Sequence, residues 1–383
     1  MQPLKAFTLD ELRQRKSEKW RGFTDDVLPL PVAEMDFEIA PGIRELLIGM
    51  LNNSDTGYLG NVHELGENLS TFMKNRWNWN VDKANVFTAT DVGVGMVEMA
   101  RMVLQPGDGI VINSPVYHNF TNWANELKAK IVDAPLKKDG LTYSLDIEAL
   151  EVAYRTGAKA HFLCNPQNPT GGYFTREELT AIADLAKKYG VTVFSDEIHA
   201  PLTFDSKNFI PFLSINENAR EMGICVTAAS KSWNIAGLKC ATIIVASDRT
   251  LALAKAMPLA VHYRASLFGA FAAAKAYESV DWLDSCLATL DANRKFLKTE
   301  LEKKLPMVGY RIPDVSYLAW LDVSAMNLGD EPAKIFLEKG KVAFNPGASF
   351  SKSHKQFVRL NFGTSQEIIS EAVTRMEIGR AHV

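Results

Sequence analysis

The chain has 383 residues, which at roughly 150 residues per domain allows two or three domains with ample core and excludes a disulfide-held miniprotein. Hydrophobic residues make up 47%, charged residues 23%, and the formal net charge is −3, so the basic surplus of a protein that neutralises nucleic-acid phosphates is missing. The longest uncharged stretch, residues 109–125, holds Pro115, His118 and four Asn and cannot cross a bilayer as an apolar helix of about 20 residues.

The chain opens with MQPLKAFTLDELRQRK, which lacks the apolar core of a secretory signal and predicts a cytoplasmic protein. Thr8 and Glu11 fit a capping box and predict a helix to about Lys19. An extended, proline-rich segment follows over 27–41. Short β-branched runs then alternate with helical ones: VFTAT at 86, GIVINSP at 109, KIVDAP at 130, KAHFLCNP at 159, VTVFSDE at 191, GICVTAAS at 223 and ATIIVAS at 241. They are apolar on both faces, as strands of a helix-covered parallel sheet are. Intervening segments such as 175–190 have helical spacing, an acidic first turn and a Gly stop. Seven strands separated by helices predict a doubly wound α/β fold.

After about Asp281 the pattern changes to a long amphipathic helix, a strand at YLAWLDV, a helix at EPAKIFLEKG, a strand at VRLNF and a final helix from Gln366, a second, smaller α+β unit. No repeat or flexible linker separates the units. Cys164, Cys225, Cys240 and Cys286 are far apart, with no C-x-x-C pair, and read as reduced, mostly buried thiols. The last seven residues, EIGRAHV, back-translate as GAG-ATC-GGA-AGA-GCA-CAC-GTC, the start of a common short-read sequencing adapter. Residues 377–383 are therefore expected to be a non-native tail.

Ligand sites of such folds lie at the C-terminal ends of strands. Four local sequences fall there: NPQNPTG at 165–171, SDEIH at 195–199, SKSWNIAGLK at 230–239 and VRLNF at 358–362. Each alone is weak, since N-P-T-G can be only a turn and Ser-Lys is common. Asp196 ends an apolar run, where an unpaired carboxylate costs several kcal/mol and needs a cationic partner. Lys231 follows one βα unit later, and Arg359 stands among the apolar neighbours Val358, Leu360 and Phe362. A buried Asp, a Lys and a distal Arg form a coherent chemical set.

Those motifs, in that order, resemble the fold-type I pyridoxal-5′-phosphate (PLP) enzymes of the aspartate aminotransferase superfamily from about residue 7 to 376. PLPVAEMDF at 29–37, NSPVYHNF at 113–120, DEIHAPL at 196–202, SKSWNIAGLK and FVRLNFG at 357–363 look like the cystathionine β-lyase, or cysteine-S-conjugate β-lyase, branch that includes the maltose-regulon-modulator type. The resemblance implies residues 1–45 as a segment joining the small domain, 46–280 as a large PLP-binding domain, and 281–376 as a small C-terminal domain.

It also implies roles. Lys231 holds PLP covalently and moves the substrate Cα proton; the alternative is a surface lysine ending a strand. Asp196 pairs with the pyridine nitrogen, a core Arg being the alternative partner. Asn168 and His199 lie near the cofactor O3′, His199 standing where the usual aminotransferase has Tyr; a satisfied core histidine is the plainer reading. Ser230, Lys239 and the amides of Gly93 and Val94 hold the phosphate at a helix N-terminus. Asp91 beside a phosphate is awkward and argues for capping the helix instead. Tyr117 stacks on the ring, or else is a core or interface tyrosine. Tyr58 reaches the phosphate of a neighbouring subunit, which implies a homodimer with shared sites. Arg359 grips the α-carboxylate of a small amino-acid substrate, and Trp233, His118 and Arg264 are candidates for the pocket beyond its sulfur. The reaction implied is α,β-elimination of L-cystathionine or related cysteine S-conjugates. Alternatives are an aminotransferase and a regulatory protein acting on a transcription factor. No metal, nucleic-acid or membrane role is expected.

Overall fold

The seven runs join one sheet, whose central strands are covered on both apolar faces. The computed structural model describes residues 3–381. Its main sheet consists of β1 (Val86–Ala89), β2 (Gly109–Ile112), β3 (Lys130–Asp133), β4 (Ala160–Cys164), β5 (Thr192–Asp196), β6 (Gly223–Thr227) and β7 (Ala241–Ile244). The spatial order is β1-β7-β6-β5-β4-β2-β3. Only β7 runs antiparallel to its neighbours. The central strands β4, β5 and β6 are buried along their whole length, whereas edge strand β3 is largely exposed. Strands β1 to β6 point the same way, so the loops at their C-terminal ends leave on one side, where this architecture leaves a crevice.

Local chemistry sets the covering helices. In Arg176–Tyr189, Thr175 and Glu178 form a reciprocal capping box, Leu179, Ile182, Ala183 and Ala186 make the buried stripe, and Gly190 at φ +69° ends the helix in a left-handed turn.

The N-terminal region departs from the expected single helix. The Thr8–Glu11 capping box is present, but the chain forms two short helices, Leu9–Arg13 and Glu18–Arg21. Lys19 is turned inward: its Nζ lies 2.7 Å from Asp36 Oδ2, with both side chains fully buried. The indole of Trp20 donates to the other Asp36 oxygen at 3.1 Å. This buried pairing, rather than an amphipathic stripe, orients the second helix.

The extended segment 27–41 is a strap laid across the second unit. Leu28–Pro29 pairs in parallel with Val342–Ala343, and Asn361 Nδ2 donates to the carbonyls of Val32 and Glu34, both at 2.7 Å. The second sheet is antiparallel: β8 (Gly309–Tyr310), β9 (Leu318–Asp322), β10 (Asn345–Pro346) and β11 (Phe357–Asn361), in the order β8-β9-β11-β10. Helices Val280–Lys304, Pro332–Gly340 and Gln366–Ala381 accompany it. The two-residue strands β8 and β10, and a small hairpin of Lys137–Asp139 with Thr142–Ser144, carry too little periodicity to be read in advance. The last helix continues to Ala381, and its Gly379 sits against Phe336 and Gly340. Residues 382 and 383 of the suspected tail lie outside the described residues. All four cysteines are free and buried, and among the described residues no helix is long and apolar enough to cross a membrane.

Candidate active site

The strand-end loops, the strap and strands β10 and β11 enclose a cavity of about 530 Å³. Lys231, Asp196, Tyr117, Asn168, His199, Ser230, Lys239, Gly93 and Arg359 all line it. They come from five separate strand ends and the second sheet, positions that only the fold brings together.

Lys231 follows β6 on a loop of turns rather than on a helix. The reason is Asn234, which adopts φ +58° and crosses to the strap, accepting from the Met35 amide at 2.9 Å and donating to the Met35 carbonyl at 2.8 Å. Lys231 Nζ donates to the Ala33 carbonyl at 2.9 Å. Burial and the charge of Arg359 lower its pKa to about 8, opposed by Glu34 and Asp196. A usable fraction of neutral amine is therefore available near neutral pH, although the residue keeps some surface toward the cavity.

Asp196 is the last residue of β5, and the Ile198 amide donates to its Oδ1 at 3.1 Å. Among the described residues no Lys, Arg or His nitrogen forms an ion pair with it. Burial raises its pKa to about 7. A buried carboxylate that lacks a cation and faces a cavity is a receptor for a protonated group.

His199, also buried, shares a hydrogen bond of 3.1 Å between Nδ1 and Ser316 Oγ, and burial holds its pKa down to about 3, so the ring is neutral. Tyr117 forms part of the wall, its hydroxyl accepting from Asn119 Nδ2 at 2.7 Å. Arg359 reaches in from β11. Its Nη1 donates to Asn168 Oδ1 at 2.9 Å, and its Nη2 donates to the Pro31 carbonyl at 2.9 Å and to Asn345 Oδ1 at 2.6 Å. The buried Nε has no partner. A buried guanidinium that lines a cavity suits a carboxylate ligand.

At the other end lies the N-terminus of helix Val92–Arg101. Asp91 is its N-cap, as expected: Oδ1 accepts from the Val94 amide at 2.9 Å, and Oδ2 takes Lys239 Nζ at 3.2 Å. This corrects the assignment of Val94, whose amide is already occupied and which does not line the cavity. Gly93 does line it, and a Cβ there would stand 2.9 Å from the Trp123 ring, so the close approach requires glycine.

Tyr58, expected to serve a neighbouring subunit, is fully exposed and does not line this chain's own cavity. Two further expectations need correction. Trp233 is wholly buried in the core, its indole donating to the Ser279 carbonyl at 3.2 Å and its ring packed on Phe72 and Tyr277. Arg264 does not line the cavity, whereas His118 does. The sequence reading gave no role to Pro31, Val32 and Ala33 of the strap or to Asn345 and Trp123, all of which line the site. The strap signal was available, because PLPVAEMDF stood out as a motif. Asn345 had none, lying on a two-residue strand.

The family described as aminotransferase class I and II matches residues 25–376. A cystathionine beta-lyase of Corynebacterium glutamicum is 33% identical over 373 residues, covering 96% of this chain and 98% of its own. Cystathionine beta-lyase PatB of Bacillus subtilis (strain 168) is 34% identical, with 92% of each chain covered. Among solved structures, cystalysin from Treponema denticola, which contains a pyridoxal 5′-phosphate cofactor, matches with a TM-score of 0.92 at 26% identity, over 99% of this chain and 98% of that one.

Proposed function

The chain belongs to the class I and II aminotransferase family, with its aspartate-aminotransferase-like fold, and from that footing we propose that it is a PLP-dependent carbon-sulfur β-lyase. The proposed reaction is L-cystathionine plus water giving homocysteine, pyruvate and ammonia, with related cysteine S-conjugates as further substrates. The observation that carries this reading is the buried, cation-free Asp196 carboxylate facing a lysine of lowered pKa across one cavity, supported by two relatives named for this reaction.

The residues present fit the cofactor. Asp196 lacks the cation that a protonated pyridine nitrogen would supply, and Tyr117 offers a flat wall. Ser230 and Lys239 offer a hydroxyl and a charge near the amides of Val92 and Gly93, which by helix geometry have no carbonyl behind them. Bound there, PLP supplies an electron sink for negative charge at the substrate Cα.

This chain's residues do the rest. Lys231 attaches the cofactor and, when released, takes the Cα proton and delivers one to the leaving sulfur. Arg359, which lines the cavity, offers its guanidinium to the α-carboxylate, and Asn168 and Asn345 fix the guanidinium plane. Neutral His199 stays available as a hydrogen-bonding group because burial keeps it uncharged. A homodimer with shared sites belongs to the proposal, with the fully exposed Tyr58 as the residue offered to the partner.

The test is release of pyruvate from L-cystathionine by the PLP-loaded protein with no keto acid added. Lys231→Ala should abolish it, and reductive trapping should label the peptide that carries Lys231. Pyruvate that appears only after an amino acceptor is supplied would identify an aminotransferase instead.

A further inference from the structure

Helix Val92–Arg101 presents its N-terminus to the cavity, and the chain already places a carboxylate there. Asp91 caps the helix through Oδ1 and holds Lys239 Nζ at 3.2 Å through Oδ2. Among the described residues, Lys239 is the one cation lining the cavity at this end, since Lys231 is turned to Ala33 and Arg359 to Asn168 and Asn345. Asp91 and Lys239 are both about half exposed, so the pair is open to an incoming anion and is held weakly.

We propose that Asp91 is an internal competitor for the cofactor's phosphate: its carboxylate takes the Lys239 ammonium that the phosphate also needs, and thereby lowers affinity for PLP. The inference rests on the PLP reading above. Two anions sharing one lysine and one helix N-terminus repel each other, so a phosphate dianion must loosen Asp91 from Lys239 or accept a nearby negative charge. A neutral residue of the same shape keeps the cap and removes the competition. Asn is as good an N-cap as Asp, so Asp91→Asn separates charge from capping. Asp91→Ser does the same with a shorter side chain.

The experiment is titration of cofactor-free, full-length protein with PLP, followed by absorbance or by quenching of tryptophan fluorescence, together with inorganic phosphate titrated by thermal shift. Both variants should bind PLP roughly tenfold more tightly than wild type at low salt, and inorganic phosphate should raise their melting temperature at lower concentration. The advantage should shrink as salt rises, since the sites are partly exposed. If both variants bind PLP and phosphate as weakly as wild type or more weakly, Asp91 instead holds Lys239 in place for the phosphate and the inference is overturned. If wild-type protein takes up no PLP at all, the functional reading falls and this inference falls with it. If wild type binds and only the variants disappoint, the inference falls alone.

Discussion

Arg359 on β11 and Asn168 after β4 meet inside the cavity, Nη1 donating to Oδ1 at 2.9 Å across 191 residues of chain. The same guanidinium is held by Asn345 and by the strap carbonyl of Pro31. Four separate segments therefore fix one planar cation in a buried place. Arg359→Lys keeps the charge and loses the plane, leaving buried acceptors without donors. In the pyruvate-release assay, kcat/KM should fall roughly a hundredfold, mostly through KM, because the lost contact grips substrate before any bond changes. An unchanged KM would remove Arg359 from carboxylate binding.

How much of this site was legible in advance follows from what each residue depends on. Asp196 and Lys231 were readable because a charge at the end of an apolar run, or just past one, is improbable without a task. The seven strands were readable because double-sided burial writes continuous β-branched runs. Asn345 and Trp123 were not, since their roles arise from tertiary approach across segments with no periodic signal. Trp233 misled for a related reason: it neighbours Lys231 in sequence, but the positive φ at Asn234 and packing on Phe72 and Tyr277 take it into the core. The break before Lys19 was invisible because its partner, Asp36, lies beyond the reach of local pattern.

Asp196 should make the cofactor-free protein pay in stability for its readiness to bind. Its folded pKa is raised to about 7 from an ordinary 3.8, so between those values the folded state binds more protons than the unfolded one. Stability from this group falls as pH rises from about 4 to 7, and the full penalty applies above 7. Asp196→Asn removes it. The cofactor-free variant should melt above wild type at pH 8, by a margin on the order of 1–3 kcal/mol, and the gap should close toward pH 4. His161 and His199 also titrate near this range and cancel in the difference, whereas Glu197, which the Asp196 charge helps to raise, is relieved with it, and Lys231, whose charged form that carboxylate supports, is slightly disfavoured. A variant less stable than wild type at pH 8 would refute the assignment.

The Lys19–Asp36 pair anchors the strap that carries Ala33, to which Lys231 bonds. Removing only the cation leaves Asp36 buried, with the Trp20 indole as its remaining close donor and Arg15 Nη1 at 3.9 Å. Lys19→Met should therefore lower the free energy of unfolding by about 3–5 kcal/mol. Adding Asp36→Asn should recover a good part of that loss, because a neutral amide keeps a carbonyl for the indole and needs no countercharge. Urea or guanidinium titration of the two variants checks both statements. A single variant as stable as wild type would show that the pair contributes nothing to holding the strap.

Gly93 and Trp123 should behave as a coupled pair. A methyl group at position 93 would lie 2.9 Å from Trp123 Cζ2 and 3.1 Å from two more ring atoms, closer than real side-chain contacts come. Near the start of a helix, replacing Gly by Ala would otherwise gain up to about 1 kcal/mol, so any loss in Gly93→Ala reports the collision. The ring must shift, and because Trp123 lines the cavity its displacement would disturb the space for the cofactor. Gly93→Ala should weaken PLP binding about tenfold and cost about 1–3 kcal/mol in stability through overpacking. Trp123→Ala in the same chain should restore most of the binding, since the smaller side chain no longer opposes the methyl. The double-mutant cycle should give a coupling of about 1 kcal/mol or more in PLP affinity. Additive effects of the two substitutions would mean that the glycine serves some purpose other than making room for this ring.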